Sequence, residues 1–154
     1  MEIRVLGPDD SGLLRQLNAM FGHAFDDWES YAASPPTDSY LAELLRNPDF
    51  VALIALHQEK VVGGIAGYLL PKFEQARKEL YLYDLAVDAA YRRQGIASRL
   101  IERLQALAAE RGAWVIFVQA DRGDEAAIAL YSRFGLAEEV LHFDLPTRSA
   151  SEEG

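Results

Sequence analysis

The chain has 154 residues, the size of a single domain. It is 50% hydrophobic and 25% charged and has no cysteine, which excludes disulfides, thiolate metal sites and a cysteine nucleophile. Acidic residues outnumber basic ones 24 to 15, for a net charge of −9, which argues against nucleic acid as a partner and suits a cationic ligand.

Glu2 to Leu6 places Ile3 and Val5 on one face, the pattern of a short strand. Pro8, Asp9, Asp10 and Ser11 supply helix-start chemistry, and Leu13, Leu14, Leu17, Met20 and Phe21 follow at helical spacing. Asp26 to Thr37, with Pro35-Pro36 inside it, reads as a loop. Asp38 or Ser39 can cap a second helix that carries Tyr40, Leu41, Leu44 and Leu45 and ends at Asn47-Pro48-Asp49. Phe50 to Leu56 is a buried strand, His57 to Lys60 a hairpin turn, and Val61 to Leu70 a second strand stopped by Pro71. Glu79 to Val87 is a third strand. Ile96 to Arg111 is the strongest helix, with Ile96, Leu100, Ile101, Leu104, Leu107 and Ala108 in one stripe and Gly112 at the C-cap position. Trp114 to Ala120 reads as a strand, Asp124 to Phe134 as a helix stopped by Gly135, and Leu136 to Leu145 as holding a final strand.

The order is therefore β-α-α-β-β-β-α-β-α-β. Three consecutive strands predict an antiparallel meander, and the unit from Glu79 to Ala120 predicts a parallel, right-handed crossover. The expected fold is α/β: a mixed, mostly antiparallel sheet with helices on both faces. It forms one domain over residues 1–146, followed by a polar tail, 147–154, expected to be disordered. No apolar run approaches the ~20 residues of a membrane span. Met1 to Val5 has no signal-peptide core, so the cytoplasm is the expected compartment.

One segment is sharper than the rest. Leu85-Ala86-Val87 ends a strand, and Arg92-Arg93-Gln94-Gly95-Ile96-Ala97 leads into the long helix. Backbone N–H groups at a helix start have no internal partners, and with the helix dipole they form an anion site. Gly95 allows close approach of a diphosphate, and Arg92 and Arg93 add charge. As a bare pattern this is weak, because an ordinary solvated helix start looks the same.

The context sharpens it. Here the chain resembles the GNAT superfamily of N-acetyltransferases over nearly its whole length. The acetyl-CoA signature of that superfamily, [QR]-x-x-G-x-[GA], reads Arg92-x-x-Gly95-x-Ala97. A second landmark, Ala129-Leu130-Tyr131-Ser132-Arg133-Phe134-Gly135-Leu136, matches its C-terminal helix end. The resemblance implies that Leu85, Ala86 and Val87 bond the pantetheine arm of acetyl-CoA. It implies that Arg92, Arg93, Gln94, Gly95, Ile96, Ala97 and Ser98 cradle the pyrophosphate. Tyr131 would face the CoA sulfur. Asp124 stands where many members have a pantetheine-contacting Asn, and an ionised carboxylate cannot donate as that Asn does.

A narrower resemblance rests on Leu69-Leu70-Pro71-Lys72-Phe73-Glu74-Gln75-Ala76-Arg77, Tyr81-x-Tyr83-Asp84, Val118-Gln119-Ala120-Asp121 and His142-Phe143-Asp144. These look like the type I aminoglycoside 3-N-acetyltransferases. That resemblance implies acetylation of an aminoglycoside antibiotic at the 3-amino group, hence antibiotic resistance, and a homodimer.

Direct attack by an amine needs a proton acceptor, a polarised thioester oxygen and a proton for the departing thiolate. Asp84 is the preferred base, because a charge in an apolar strand is costly unless paired. The alternative is an Asp at a strand splay or bulge making structural bonds. A direct base, a base acting through water and an ammonium anchor are equally compatible with the residues. Tyr131 is the preferred acid, against a core Tyr at a helix end. Tyr81 and Tyr83 share a strand face as pocket wall or core, and Glu79 on that face can relay protons. Asp121, His142 and Asp144 are candidate walls for a cationic substrate. Asp26, Asp27 and Asp38 read better as loop and cap residues. No metal-ligand spacing or nucleophile–base pair is evident. An acetyltransferase of a polyamine or protein amine, and a non-catalytic acetyl-CoA sensor, remain open.

Overall fold

Phe50–His57 is apolar through Leu56, and a strand that apolar must be covered on both faces. In the computed structural model, which describes residues 1–149, it lies inside a five-stranded sheet. The elements are β1 (Glu2–Val5), α1 (Ser11–Ala24), α2 (Trp28–Tyr31), α3 (Asp38–Arg46), β2 (Phe50–His57), β3 (Lys60–Pro71) and β4 (Lys78–Val87). A 3₁₀ turn (Ala89–Tyr91), α4 (Ile96–Glu110), β5 (Ala113–Val118) and α5 (Glu125–Ser132) follow. The sheet order is β1-β2-β3-β4-β5. The first three pairings are antiparallel and β4–β5 is parallel, as the strand–helix–strand pattern predicts.

Alternation along β2 assigns the two faces. Phe50, Ala52 and Ile54 pack with Leu14, Leu17, Met20 and Phe21 of α1 and with Leu41 and Leu45 of α3. The opposite face is covered by the apolar stripe of α4, from Ile96 to Ala108. Adjacent glycines of β3 serve both layers. A Cβ on Gly63 would lie 3.3 Å from Ile96 of α4, and one on Gly64 would strike Leu17 of α1 and come within 2.7 Å of the Leu53 carbonyl. The β2–β3 hairpin turns through Gln58 and Glu59, both at positive φ (50° and 65°), as a two-residue type I′ turn requires. Gly112, at φ 88°, closes α4 in the left-handed conformation.

Several expectations need correction. Asp26 to Thr37 is not all loop, because Asp27 caps the short helix α2 by accepting from the Ser30 N–H. Thr37, not Asp38 or Ser39, caps α3, its hydroxyl accepting from the Tyr40 N–H at 3.1 Å. β5 ends at Val118, so Asp121 lies three residues beyond the strand. No strand forms among the described residues after Leu136, where Val140, Leu141, Phe143 and Leu145 are largely exposed. That segment has strand-like residues but no neighbouring strand bonded to it, and a lone strand is not stable. The proposed tail lies mostly outside the described residues.

The chain divides into two compact units, Met1–Asp121 and Arg122–Gly154. The first holds the sheet with α1 to α4. The second holds α5, whose N-cap Asp124 accepts from the Ala127 N–H at 3.1 Å.

The close fit at Gly64 predicts that Gly64→Ala destabilises the protein by about 1–3 kcal/mol, the usual cost of overpacking. Gly12→Ala, in α1 with nothing within 4 Å of the new methyl, should leave stability unchanged or raise it by less than about 1 kcal/mol. Urea denaturation of both variants checks the contrast.

Candidate active site

The centre of the site is an irregularity in β4. Its register with β3 runs Leu80↔Leu69, Tyr81↔Tyr68 and Leu82↔Gly67, then resumes at Asp84↔Ala66 and Ala86↔Gly64. Two residues of β4 therefore oppose one of β3, and Tyr83 is the extra one of a β-bulge. Strict alternation would put Asp84 on the face of Leu80 and Leu82, which are buried on the α4 side. The bulge turns it to the face of α1, together with Ala86, which belongs to the α1 and α3 core cluster. Tyr83 and Asp84 thus emerge side by side.

On that face Asp84 meets a donor. Tyr31, the last residue of α2, donates its hydroxyl to Asp84 Oδ2 at 2.6 Å. Its ring stands against Phe21 and Phe25 of α1, with centroids 6.0 and 5.7 Å away. Burial raises the Asp84 carboxyl above the usual carboxylate range, and the Tyr31 hydrogen bond pulls it part of the way back. Burial, the same hydrogen bond and the Asp84 charge all push the Tyr31 phenol up, so it stays a donor.

Aromatic rings line the approach. Tyr83 is 59% exposed, and its ring lies edge-on to Tyr68 of β3 (5.8 Å) and Tyr81 (5.5 Å). Tyr81 stacks on Phe117 of β5 at 4.7 Å and donates to Gln119 Oε1. Glu79 is taken up elsewhere, accepting from Trp114 Nε1 at 3.2 Å with Lys72 Nζ 3.7 Å away. Arg77 covers the other part of that indole at 4.1 Å. The Pro71–Arg77 block therefore braces the start of β4, and Glu79 is part of that brace.

Next to Asp84 the sheet opens. β5 pairs with β4 only as far as Leu82↔Val118. From Tyr83 onward, β4 backbone groups that point away from β3 are not taken up by β5. Leu85, Ala86 and Val87 border this divergence, and the turn that follows leads to α4. Arg92 folds back so that its Nε donates to the Val87 carbonyl at 3.2 Å. Arg93 and Gly95 both have positive φ, 63° and 77°. α4 opens without a side-chain cap, and a Cβ on Gly95 would enter open space. Gln94 is exposed and Ile96 buried, while Ala97 and Ser98 sit in the first turn of α4. A glycine-led, uncapped helix start beside an unpaired strand edge is the form of an anion cradle.

Residues 17–136 match the model of the Acetyltransferase (GNAT) family. The chain belongs to this family. A solved aminoglycoside acetyltransferase from an uncultured soil metagenomic sample is 52% identical, with a TM-score of 0.93 over 96% of this chain and 98% of that one. A second such enzyme from soil, solved in complex with sisomicin, is 32% identical with a TM-score of 0.88, and 96% of each chain is covered. Among curated proteins, the [ribosomal protein bS18]-alanine N-acetyltransferase of Escherichia coli (strain K12) is 33% identical over 76 residues, 49% of this chain and 51% of that protein. The chain spans about half the length of the curated relatives it matches.

GNAT acetyltransferases take acetyl from acetyl-CoA, and the residues present suit that cosubstrate. The unpaired β4 edge offers an extended arm backbone partners, and the Gly95 turn suits a diphosphate. In the second unit, Tyr131 lies near the end of α5, and the Asp124 carboxylate is engaged as the helix cap. His142 and Asp144 pair with each other, Nε2 to Oδ1 at 2.8 Å, and both are exposed. Asp121, at the end of the first unit, is exposed as well. Among the described residues no group of three or more His, Asp or Glu could hold a metal. Among the described residues no helix is long and apolar enough to cross a membrane.

Sequence reasoning missed Tyr31 and Tyr68. The one available signal for Tyr31 was indirect, since a carboxylate in an apolar strand demands a donor. A separation of 53 positions between donor and acceptor carries no spacing rule.

A carboxyl raised in the folded state binds its proton more tightly there than in the unfolded chain. Its contribution to stability is present at low pH and is lost as pH climbs from the ordinary carboxylate range through the raised value. Asp84→Asn removes that dependence and still accepts from Tyr31. Its melting temperature should exceed that of the wild type at pH 7, with the gap closing below about pH 4. A gap that stays constant from pH 3 to pH 7 would contradict the raised carboxyl.

Proposed function

We propose that this chain acetylates an aminoglycoside, using acetyl-CoA, at the 3-amino group of the deoxystreptamine ring, and so confers resistance to such antibiotics. The observation that carries the chemistry is the half-buried Asp84 carboxylate, raised by burial and set by the bulge beside the β4–β5 divergence. The substrate class is supported by the two soil enzymes that share nearly the whole chain. The 3-amino position is supported only by the resemblance of the Pro71–Arg77 and Tyr81–Asp84 blocks to the type I enzymes.

The reaction runs by direct attack. The substrate ammonium gives a proton to Asp84, and the neutral nitrogen adds to the thioester carbonyl carbon. The C–N bond forms as the carbonyl π electrons move to oxygen. When the carbonyl re-forms, the C–S bond breaks and the thiolate takes a proton from its donor to leave as free CoA, while the nitrogen's second proton passes through water to restore that donor and Asp84 returns the first proton to solvent. A raised carboxyl is a stronger base than an ordinary one, so burial of Asp84 serves this step. Tyr131 is the proposed donor to the thiolate, on its place in the Ala129–Leu136 motif. The backbone of Leu85, Ala86 and Val87 and the residues from Arg92 to Ser98 would hold the cosubstrate. Asp124, already capping α5, would contribute only through its remaining lone pairs.

An aminoglycoside carries several ammonium groups, of which one must be neutral to react. The others give binding energy to carboxylates, and the surplus of acidic side chains, with Asp121 and Asp144 as candidates, suits them. Tyr83 would form a pocket wall, and His142 is a further candidate for contact with the substrate. Acetylation of a protein N-terminal alanine is the second reading, favoured by the bS18 enzyme's identity over half of this chain.

Wild type, Asp84→Asn and Tyr131→Phe, each assayed with acetyl-CoA against gentamicin, spermidine and an alanine-ended peptide, separate these readings. Asp84→Asn should cut kcat/KM for gentamicin by at least about tenfold, and NMR of the product should place the acetyl on the 3-amino nitrogen. Tyr131→Phe should lower turnover by roughly 10²–10⁴, as loss of a positioned proton donor does. Preferred acetylation of the peptide or of spermidine would defeat the substrate assignment and leave the transferase standing.

Gly95→Val tests the cosubstrate site separately. A branched Cβ at φ 77° strains the turn and projects into the space in front of α4. Calorimetric affinity for acetyl-CoA should fall by at least about tenfold while the protein stays folded. Unchanged affinity would remove Gly95 from the site.

A further inference from the structure

We propose that Tyr31 is a positioning residue of the acetyl-transfer site, holding Asp84 Oδ2 so that Oδ1 is the oxygen that takes the amine proton. This rests on the reading of Asp84 as the base. The geometry is specific. The Tyr31 hydroxyl donates to Oδ2 at 2.6 Å, and this hydrogen bond is what offsets burial at the carboxyl. A free carboxylate flips between two equivalent oxygens, whereas one with Oδ2 tied presents Oδ1 in a single orientation. Orientation of this kind is what a proton transfer from a bound amine requires.

The surroundings of Tyr31 are built to keep it there. Its ring completes a three-ring cluster with Phe21 and Phe25, whose own centroids are 5.5 Å apart. Gly22 of α1 provides the room, for a Cβ at that position would stand 3.0 Å from the Tyr31 Cβ. The Asp27 N–H donates to the Gly22 carbonyl at 2.9 Å, so the chain leaves α1 and enters α2 along a fixed path. Other titratable groups acting on the pair are Asp27 from the start of α2, Tyr68 from β3, and Tyr81 and Tyr83 from β4. None of these four donates a hydrogen bond to Asp84, so the Tyr31 hydroxyl is the specific lever.

A purely structural staple between α2 and the sheet would affect stability and nothing else. A positioning residue also sets the protonation of the base. The Tyr31 bond favours the charged carboxylate, so its loss leaves burial unopposed and raises the Asp84 carboxyl further. The base must be ionised to act, so the acid limb of the pH–rate profile must move to higher pH.

Tyr31→Phe keeps the ring against Phe21 and Phe25 and removes only the hydroxyl. Two readings are taken on wild type and variant: the Asp84 carboxyl titration by 13C NMR, and kcat/KM against pH with the amine the wild type acetylates. Both the NMR titration and the acid limb should rise by about 0.5 pH unit or more, with plateau kcat down by roughly tenfold. KM for acetyl-CoA should stay within about twofold of the wild type. A folded Tyr31→Phe protein whose Asp84 titration stays put overturns the positioning role. If the titration moves and the acid limb does not, Asp84 is not the base, and the proposed mechanism fails along with this inference. Should Tyr31→Phe fail to fold, Gly22→Ala carries the test. It displaces the phenol by a few tenths of an ångström without deleting it, and an unmoved titration there is equally fatal.

Discussion

A carboxylate placed in the middle of a sheet covered on both faces loses much of the water that would solvate it. It needs a donor, or it loses its charge. In this protein one inserted residue in β4 resolves the conflict. Tyr83 is the extra residue of the bulge, and it rotates the strand so that Asp84 leaves the α4 face, where Leu80 and Leu82 are sealed. Asp84 arrives instead on the α1 face, where Tyr31 reaches it. The same insertion falls where β4 and β5 part company, after Leu82↔Val118. A strand that bends away from its neighbour exposes backbone groups and a cleft, and this one does so beside its only charged residue past Glu79.

The rest of the first unit supports that arrangement. The two glycines at 63 and 64 bring α4 and α1 close to opposite faces of β3, which sets how far α1 stands from β4. From α1 the chain turns at Asp26, in the left-handed region, into the single turn of α2 that ends at Tyr31. At the other end of β4, the Lys72, Glu79, Arg77 and Trp114 contacts tie the β3–β4 connection to β5. Exposed ion pairs of this kind contribute little stability individually. Their value here is register: they fix where β4 begins, and so where its bulge falls.

Charge and exposure divide the tyrosines by role. Tyr31 is held as a donor by burial and by the Asp84 charge. Tyr68 and Tyr83 turn partly exposed rings toward the same face and can offer a substrate both apolar surface and the negative face of a ring. The overall excess of acidic side chains acts at longer range. It draws a cation toward the protein, while the aromatic wall and Asp84 act on it at contact.

Much of this was legible in the residues alone. Apolar runs and periodicity located β1 to β5 and the three longer helices of the first unit within a few residues, because each buries a long apolar segment, and β4 departs from a single period only at its bulge. The Arg92–Ala97 turn and the Ala129–Leu136 block carried the family, because backbone approach to a diphosphate restricts the residue types that fit. Asp84 stood out because a charge in an apolar strand is conspicuous. What the sequence could not supply was the facing of that charge. A bulge is a mismatch between two strands, and its register depends on β3 as much as on β4. The Tyr31 contact likewise joins positions 53 apart through a short helix that reads as loop, since four residues give no period to detect. The last strand failed for the converse reason. Leu136 to Leu145 has the composition of a strand, but a strand exists only when another backbone accepts its hydrogen bonds, and composition says nothing about where that partner lies.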